Sequence, residues 1–133
     1  MCFINGTERK PSKEYQVAWK LFLEQVDGLH SPIKNTETIY QHGQKYSSDG
    51  WGFYAFTSEA DALGLKELAE ESKMKGYNKW PKGQFVVKKV QVQKIDAEGF
   101  CVCHWDQSDI LLDGKNHSEL KTNAIRFHEM TIL

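Results

Sequence analysis

The stretch from Trp51 to Gly76, WGFYAFTSEADALGLKELAEESKMKG, constrains the fold more than any other part of the chain. It reads as one buried strand running directly into one helix. Asp49-Gly50 ahead of it is a turn pair. Within Trp51 to Thr57, Trp51, Phe53 and Ala55 share one face, and Gly52, Tyr54 and Phe56 share the other. Both faces are apolar or aromatic, which predicts a central strand covered on at least one side. Ser58 is the expected helix N-cap, and Asp61 three residues on approximates a capping box. Glu59 and Asp61 lie at the positive end of the helix dipole, and Lys73 and Lys75 at the negative end. Ala62, Leu65, Leu68 and Ala69 form the buried stripe. Gly64 inside the helix costs about 1 kcal/mol against alanine, a cost that close packing on a strand would explain. Gly76 is the expected stop.

The flanking chain is dominated by strand signals. Residues 1–14 are polar after Phe3 and predict an extended N-terminal arm. Tyr15 to Leu23 alternates as a strand, and Glu37 to Gln41 predicts a short one. Gln84 to Ile95 is a long strand whose alternation changes phase, from Phe85 and Val87 to Val90 and Val92. A bulge near Lys88-Lys89 is the expected cause. Asp96 to Gly99 reads as a turn, Phe100 to Trp105 as a further strand, and Asp113-Gly114 as another turn or the tip of a hairpin. Ala124 to Leu133 closes the chain, with Ile125 and Phe127 expected opposite Met130 and Ile132. One helix and five or six strands predict a single α+β domain over residues 1–133: a strongly bent antiparallel or mixed sheet with one main helix packed on it.

Charge narrows the function classes. The formal net charge is −1, and of 17 basic residues only Arg9 and Arg126 are arginine. A nucleic-acid surface carries a basic excess with several arginines, so this class is not favoured. There is no apolar run long enough to span a membrane and no signal-peptide core, so a cytoplasmic protein with no membrane partner is expected. Three cysteines and a reducing compartment argue against a disulfide framework.

Several local patterns carry a resemblance. Met1-Cys2, Ala18-Trp19-Lys20-Leu21, Ser31-Pro32, Tyr40-Gln41-His42-Gly43, Gly52-Phe53-Tyr54-Ala55-Phe56 and Glu59-Ala60-Asp61-Ala62 occur in that order. In this the chain resembles a loose group of small phage and bacterial proteins of unassigned function. That resemblance implies host cytoplasm as the compartment if the chain is phage-encoded. The segment Gly52 to Val92 also resembles ADP-ribosyltransferase cores, in which a Gly-x-Tyr-Phe strand is followed by a helix and a Val-rich strand. That resemblance implies Lys20 on the first strand, Tyr54 or Ser58 in the middle and Glu119 or Glu129 late as a site. The first position departs from the family's arginine or histidine.

Candidate chemistry is sparse. Removal of Met1 would leave Cys2 with a free α-amino group, its own base, as in N-terminal nucleophile enzymes; the plain alternative is an ordinary residue at a docked terminus. Cys101-Val102-Cys103-His104 has metal-ligand residue types. On a strand, however, Cys101 and Cys103 point away from His104, and no second ligand pair stands at zinc spacing, so buried thiols are expected and no metal. His42 lies in a loop before the central strand, where a solvated histidine is the plain reading and ligand binding the sharper one. Trp80-Pro81 interrupts a polar loop, and with Tyr77, Lys79 and Lys82 it makes a candidate binding surface; a solvated lysine face is the plain alternative. No Walker A, GxGxxG, HExxH or GxSxG motif is present, and no cofactor is expected.

The function these readings predict is a small interaction protein of phage or mobile-element type. It would bind a protein partner through Tyr77, Lys79, Trp80, Lys82 and His42, and an inhibitor of a host defence system, of the anti-CRISPR kind, is one concrete version. The alternative is a small enzyme using Cys2 or a diverged ADP-ribosyltransferase-like site.

Overall fold

The computed structural model describes residues 2–8, 10–11, 13–32, 38–50, 52–75, 82–102 and 124–133. Along the chain run β1 (Cys2–Glu8), β2 (Gln16–Gln25), β3 (Gly28–His30), β4 (Lys45–Ser47), β5 (Phe53–Phe56), α1 (Glu59–Lys75), β6 (Gln84–Val102) and β7 (Ala124–Ile132). The fold is α+β, with one helix packed on an antiparallel sheet ordered β1-β6-β2-β5-β7-β4, and β3 added to β2.

The sheet is bent until it meets itself. β2 lies along the first half of β6, from Glu24↔Gln84 to Gln16↔Val92. β1 continues along the same edge of β6, from Glu8↔Ala97 to Cys2↔Val102. β7 lies on the opposite edge of β6, and β5 pairs with both β7 and β2. The path β6-β2-β5-β7 therefore returns to β6 as a ring. Residues 2–8 of the expected N-terminal arm form an edge strand of this sheet, paired with β6, with a register shift between Ile4 and Thr7 around the glycine at position 6.

Two cores follow from strand alternation. Ala18, Phe22, Ala55, Val90, Val92, Ile125 and Phe127 point into the ring. Leu21, Leu23, Phe56 and Phe85 point out of it onto Ala62, Leu65 and Ala69 of the helix. The helix starts as its sequence dictates, with the Asp61 amide donating to Ser58 Oγ at 3.2 Å. Gly64 does not approach a strand, because a Cβ there would meet nothing within 4 Å.

β6 departs from its sequence reading in two ways. No bulge occurs at Lys88-Lys89. Phe85 and Val87 face the helix and Val86, Val90 and Val92 face the ring interior, in regular alternation. The apparent phase change arose because both faces are apolar. The real break lies at Lys94, whose φ is 59°, followed by a register shift between Ile95 and Ala97. It lets Ile95 join Val90 and Val92 in the same core. β7 changes phase opposite this break, so Ile125, Phe127, Met130 and Ile132 share one core instead of standing on opposite faces.

The second departure is that Asp96 to Gly99 is not a turn. The strand runs unbroken to Val102, paired on one edge with β1 and on the other with β7. Cys101 and Val102 are its last residues; the expected continuation through Cys103, His104 and Trp105, and the turn at Asp113-Gly114, lie outside the described residues. Most of the expected Glu37–Gln41 strand does contribute described backbone, but as a single bridge, Leu29↔Tyr40.

Candidate functional site

The ring has a weak seam. β2 and β5 meet at one backbone pair, Trp19↔Phe56, and then diverge. The next residue of β2 is Lys20, which alternation turns inward with Ala18 and Phe22. Its ammonium donates to the Tyr54 carbonyl at 2.7 Å and lies 5.8 Å from the Phe22 ring centroid. A side chain thus bridges the two strands where the backbone ladder stops. Lys20 is only 9% exposed, the one buried charged residue among those described.

A pocket of about 430 Å³ opens at this seam, lined in part by Lys20, Ser31, Tyr40, Ser48, Phe53 and Tyr54. Its aromatic wall is built by packing. Tyr40 makes an edge contact with Tyr46 at 4.8 Å between ring centroids, and sits 5.6 Å from Phe22 and 6.4 Å from Phe53. The Tyr46 hydroxyl accepts from the Gln41 amide at 2.7 Å and donates to the Ile39 carbonyl at 3.3 Å, which fixes that ring against the 39–41 segment.

Behind the pocket wall lies a charged tie. Asp96 sits at the β6 irregularity, where it receives Arg126 Nε at 2.8 Å and meets His128 Nε2 at 2.7 Å. Burial works against the Asp96 charge, but hydrogen bonds from Arg126 and His128 outweigh it and hold the carboxyl below its ordinary range. The same carboxylate pushes the Arg126 pKa up. The other nitrogen of His128 faces the Ser48 carbonyl at 3.2 Å, and the Ser48 amide donates to the His128 carbonyl at 2.9 Å. Both ring nitrogens face acceptors, so both contacts are hydrogen bonds when each nitrogen carries a proton. Gly52 closes this corner at φ 80°; a Cβ there would stand 2.9 Å from the Phe127 carbonyl oxygen. Asp96 and His128 do not form a hydrolase relay with Ser48. Ser48 Oγ accepts the Gly52 amide at 3.2 Å, while the imidazole addresses the serine's backbone. The cluster touches the pocket lining at Ser48.

Of the residues singled out from sequence, His42 and Lys82 have described side chains. Cys2 is placed in β1 with its backbone opposite Val102; its side chain lies outside the described set, as do Tyr77, Lys79 and Trp80 altogether. His42 is exposed and pairs through Nδ1 with the Leu133 carbonyl at 3.2 Å, away from the pocket lining. Lys82 is exposed beside a shallow groove between the β2–β3 turn and the start of β6, and its carbonyl accepts Gln25 Nε2 at 2.6 Å. Neither belongs to the pocket, and the structure does not bring them together.

The set implied by ADP-ribosyltransferase cores is assembled only in part. Lys20 meets Tyr54 through the tyrosine's carbonyl. Ser58 is occupied as the helix cap. Glu129 is held by Lys94 at 2.8 Å and Lys45 at 3.0 Å, which keep its carboxyl below the ordinary range. Glu119 lies outside the described residues. Sequence reading missed Tyr40, Ser48, Asp96, Arg126 and His128 as site residues. One signal was legible: a lysine between Ala18 and Phe22 on an otherwise apolar strand face. Among the described residues no group of three His, Cys, Asp or Glu could hold a metal, and no helix is long and apolar enough to cross a membrane.

No family model matches the chain, and neither a curated protein nor a solved structure is significantly similar to it.

Proposed function

We propose that this chain is a binding protein, and that it engages a protein partner by receiving an anionic group of that partner in the seam pocket. One observation carries the reading: a lysine about nine-tenths buried stands in the wall of an open pocket. Its ammonium carries three donor hydrogens, one of which goes to the Tyr54 carbonyl. An anion delivered to Lys20 would add a charge-assisted hydrogen bond in a site partly shielded from water, where such bonds are strongest. The aromatic wall from Tyr40 to Phe53 would bury the apolar part of the same group. The surface around Tyr77, Lys79, Trp80 and Lys82 remains a second candidate contact for such a partner. The inhibitor role of phage type is one form of this function and rests on the sequence resemblance alone.

Selection of displayed random peptides against the folded chain tests the reading. Enrichment of peptides with an acidic residue or free terminal carboxylate is expected, and their loss against a Lys20→Met variant whose fold is verified by circular dichroism. Enrichment indifferent to acidic groups, or unchanged by the substitution, overturns it.

A further inference from the structure

We propose that His128 is a proton-operated latch: its doubly protonated ring holds the 48–52 corner of the seam pocket to Asp96, and loss of one proton releases that corner. The imidazole lies between two acceptors, with Asp96 Oδ2 at 2.7 Å from Nε2 and the Ser48 carbonyl at 3.2 Å from Nδ1. Neither has a proton to give. Arg126 also donates to Asp96, at 2.8 Å, and helps to keep it a carboxylate, while a backbone carbonyl only accepts. The cationic ring donates to both. A neutral ring has one N–H and one lone pair, so it can serve one of them. The carboxylate contact is the shorter and the charge-assisted one, so the remaining proton stays on Nε2. The Nδ1 lone pair then faces the Ser48 carbonyl oxygen, and an attraction becomes a repulsion.

Ser48 and Gly52 both line the pocket, so the state of the ring sets one side of its rim. The corner also rests on the imidazole, since a Cβ at Gly52 would stand 3.1 Å from His128 Cε1. Two further ties survive deprotonation: the Ser48 amide donates to the His128 carbonyl at 2.9 Å, and the Gly52 amide to Ser48 Oγ at 3.2 Å. Release is therefore a shift of the corner and not its unfolding. Among the described residues, the charged and titratable groups around the ring are these. β6 supplies Asp96, while its Lys94 is turned to Glu129 of β7 at 2.8 Å, which Lys45 of β4 also meets at 3.0 Å. On β7 Arg126 bonds Asp96 and lies 3.6 Å from Glu8 of β1. β5 contributes Tyr54, which interacts with Arg126, and the corner itself carries Asp49 next to Ser48. Imidazole alone among these side-chain types ordinarily changes charge between about pH 5 and 8.

The latch is a property of the free chain, so its test needs no ligand and is independent of what the pocket binds. The ¹³C,¹⁵N-labelled native chain is titrated from about pH 5 to about pH 9, across ordinary imidazole titration, while NMR follows the His128 ring nitrogens, the Ser48 carbonyl carbon and the Asp49 and Gly52 amides. The ring is expected to lose its proton from Nδ1 as pH rises. The Ser48, Asp49 and Gly52 signals should shift with the same midpoint, and the amide of Leu65 in the helix should not. A neutral ring protonated on Nδ1 overturns the latch, as does a ring that keeps one charge state throughout. Corner signals that fail to follow the ring also overturn it. In a His128→Asn variant the corner shifts should vanish, and their persistence would assign them to another group and overturn the proposal. Should that variant not fold, the native-chain titration decides alone.

Discussion

The Lys20 ammonium takes over from the backbone where β2 and β5 part: one residue beyond the Trp19–Phe56 pair, it donates to the Tyr54 carbonyl at 2.7 Å. This bond spans the seam of the ring, and Lys20, the one buried charged residue among those described, lines the pocket there. Lys20→Met keeps much of the aliphatic stem but deprives a half-buried carbonyl of this donor. Loss of about 1–3 kcal/mol is expected, read as a lowered urea midpoint with unchanged slope. Faster amide exchange in β5 should accompany it. A midpoint equal to wild type would show that the contact contributes nothing to closure.

Gly64 gives a prediction of opposite sign. A Cβ at this helix position would meet nothing within 4 Å, so no packing requirement offsets the poor helix propensity of glycine. Gly64→Ala is expected to stabilise the chain by up to about 1 kcal/mol and raise its thermal midpoint. A lowered midpoint would mean that glycine serves the helix in a way its open surroundings do not reveal.

These two residues illustrate what the sequence makes legible. The helix was readable because its determinants are local: the Ser58 cap, the acidic first turn and the Ala62–Leu65–Ala69 stripe lie within a few turns of one another. The α+β class followed from the strand signals around it. The course of β6 was not readable, because Asp96 and the glycine at position 99 imitate a turn while pairing on both edges keeps the chain extended. Its phase was obscured because residues 85–92 bury side chains on both faces. The pocket was illegible for another reason. Lys20, Ser31, Tyr40, Ser48 and Tyr54 come from separate segments, and only ring closure makes them neighbours. A lysine on the inward face was the sole local trace.

Acid should loosen the wall behind the pocket. The folded-state pKa of Asp96 is depressed, because hydrogen bonds from Arg126 and His128 outweigh its burial. A depressed carboxyl contributes stability above its unfolded value, near 4, and loses it as pH falls through the folded value. Asp27 and Glu129 are depressed by His30 and by Lys94 with Lys45, and share this acid limb. Asp96→Asn should therefore lower stability at neutral pH and make its decline below about pH 4 shallower than in wild type. An acid limb identical to wild type would assign the decline to the other carboxylates.

Gly52 is the position where a single methyl group should disturb the pocket most. Its φ of 80° lies in the left-handed region, and an added Cβ would stand 2.9 Å from the Phe127 carbonyl oxygen and 3.1 Å from the His128 ring. The carbonyl is fixed within β7, so the 48–52 corner must move instead. Backbone strain alone costs about 1–2 kcal/mol for a residue with a Cβ, and the clash adds to it. Gly52→Ala should lower the thermal midpoint and perturb the Ser48 and Tyr54 amides more than those of the distant helix. The Ser48–His128 tie and the Lys20–Tyr54 bridge flank this corner, so the variant should also weaken binding of acidic peptides selected against the folded chain. Retention of both stability and binding would show that the corner yields freely and does not shape the pocket.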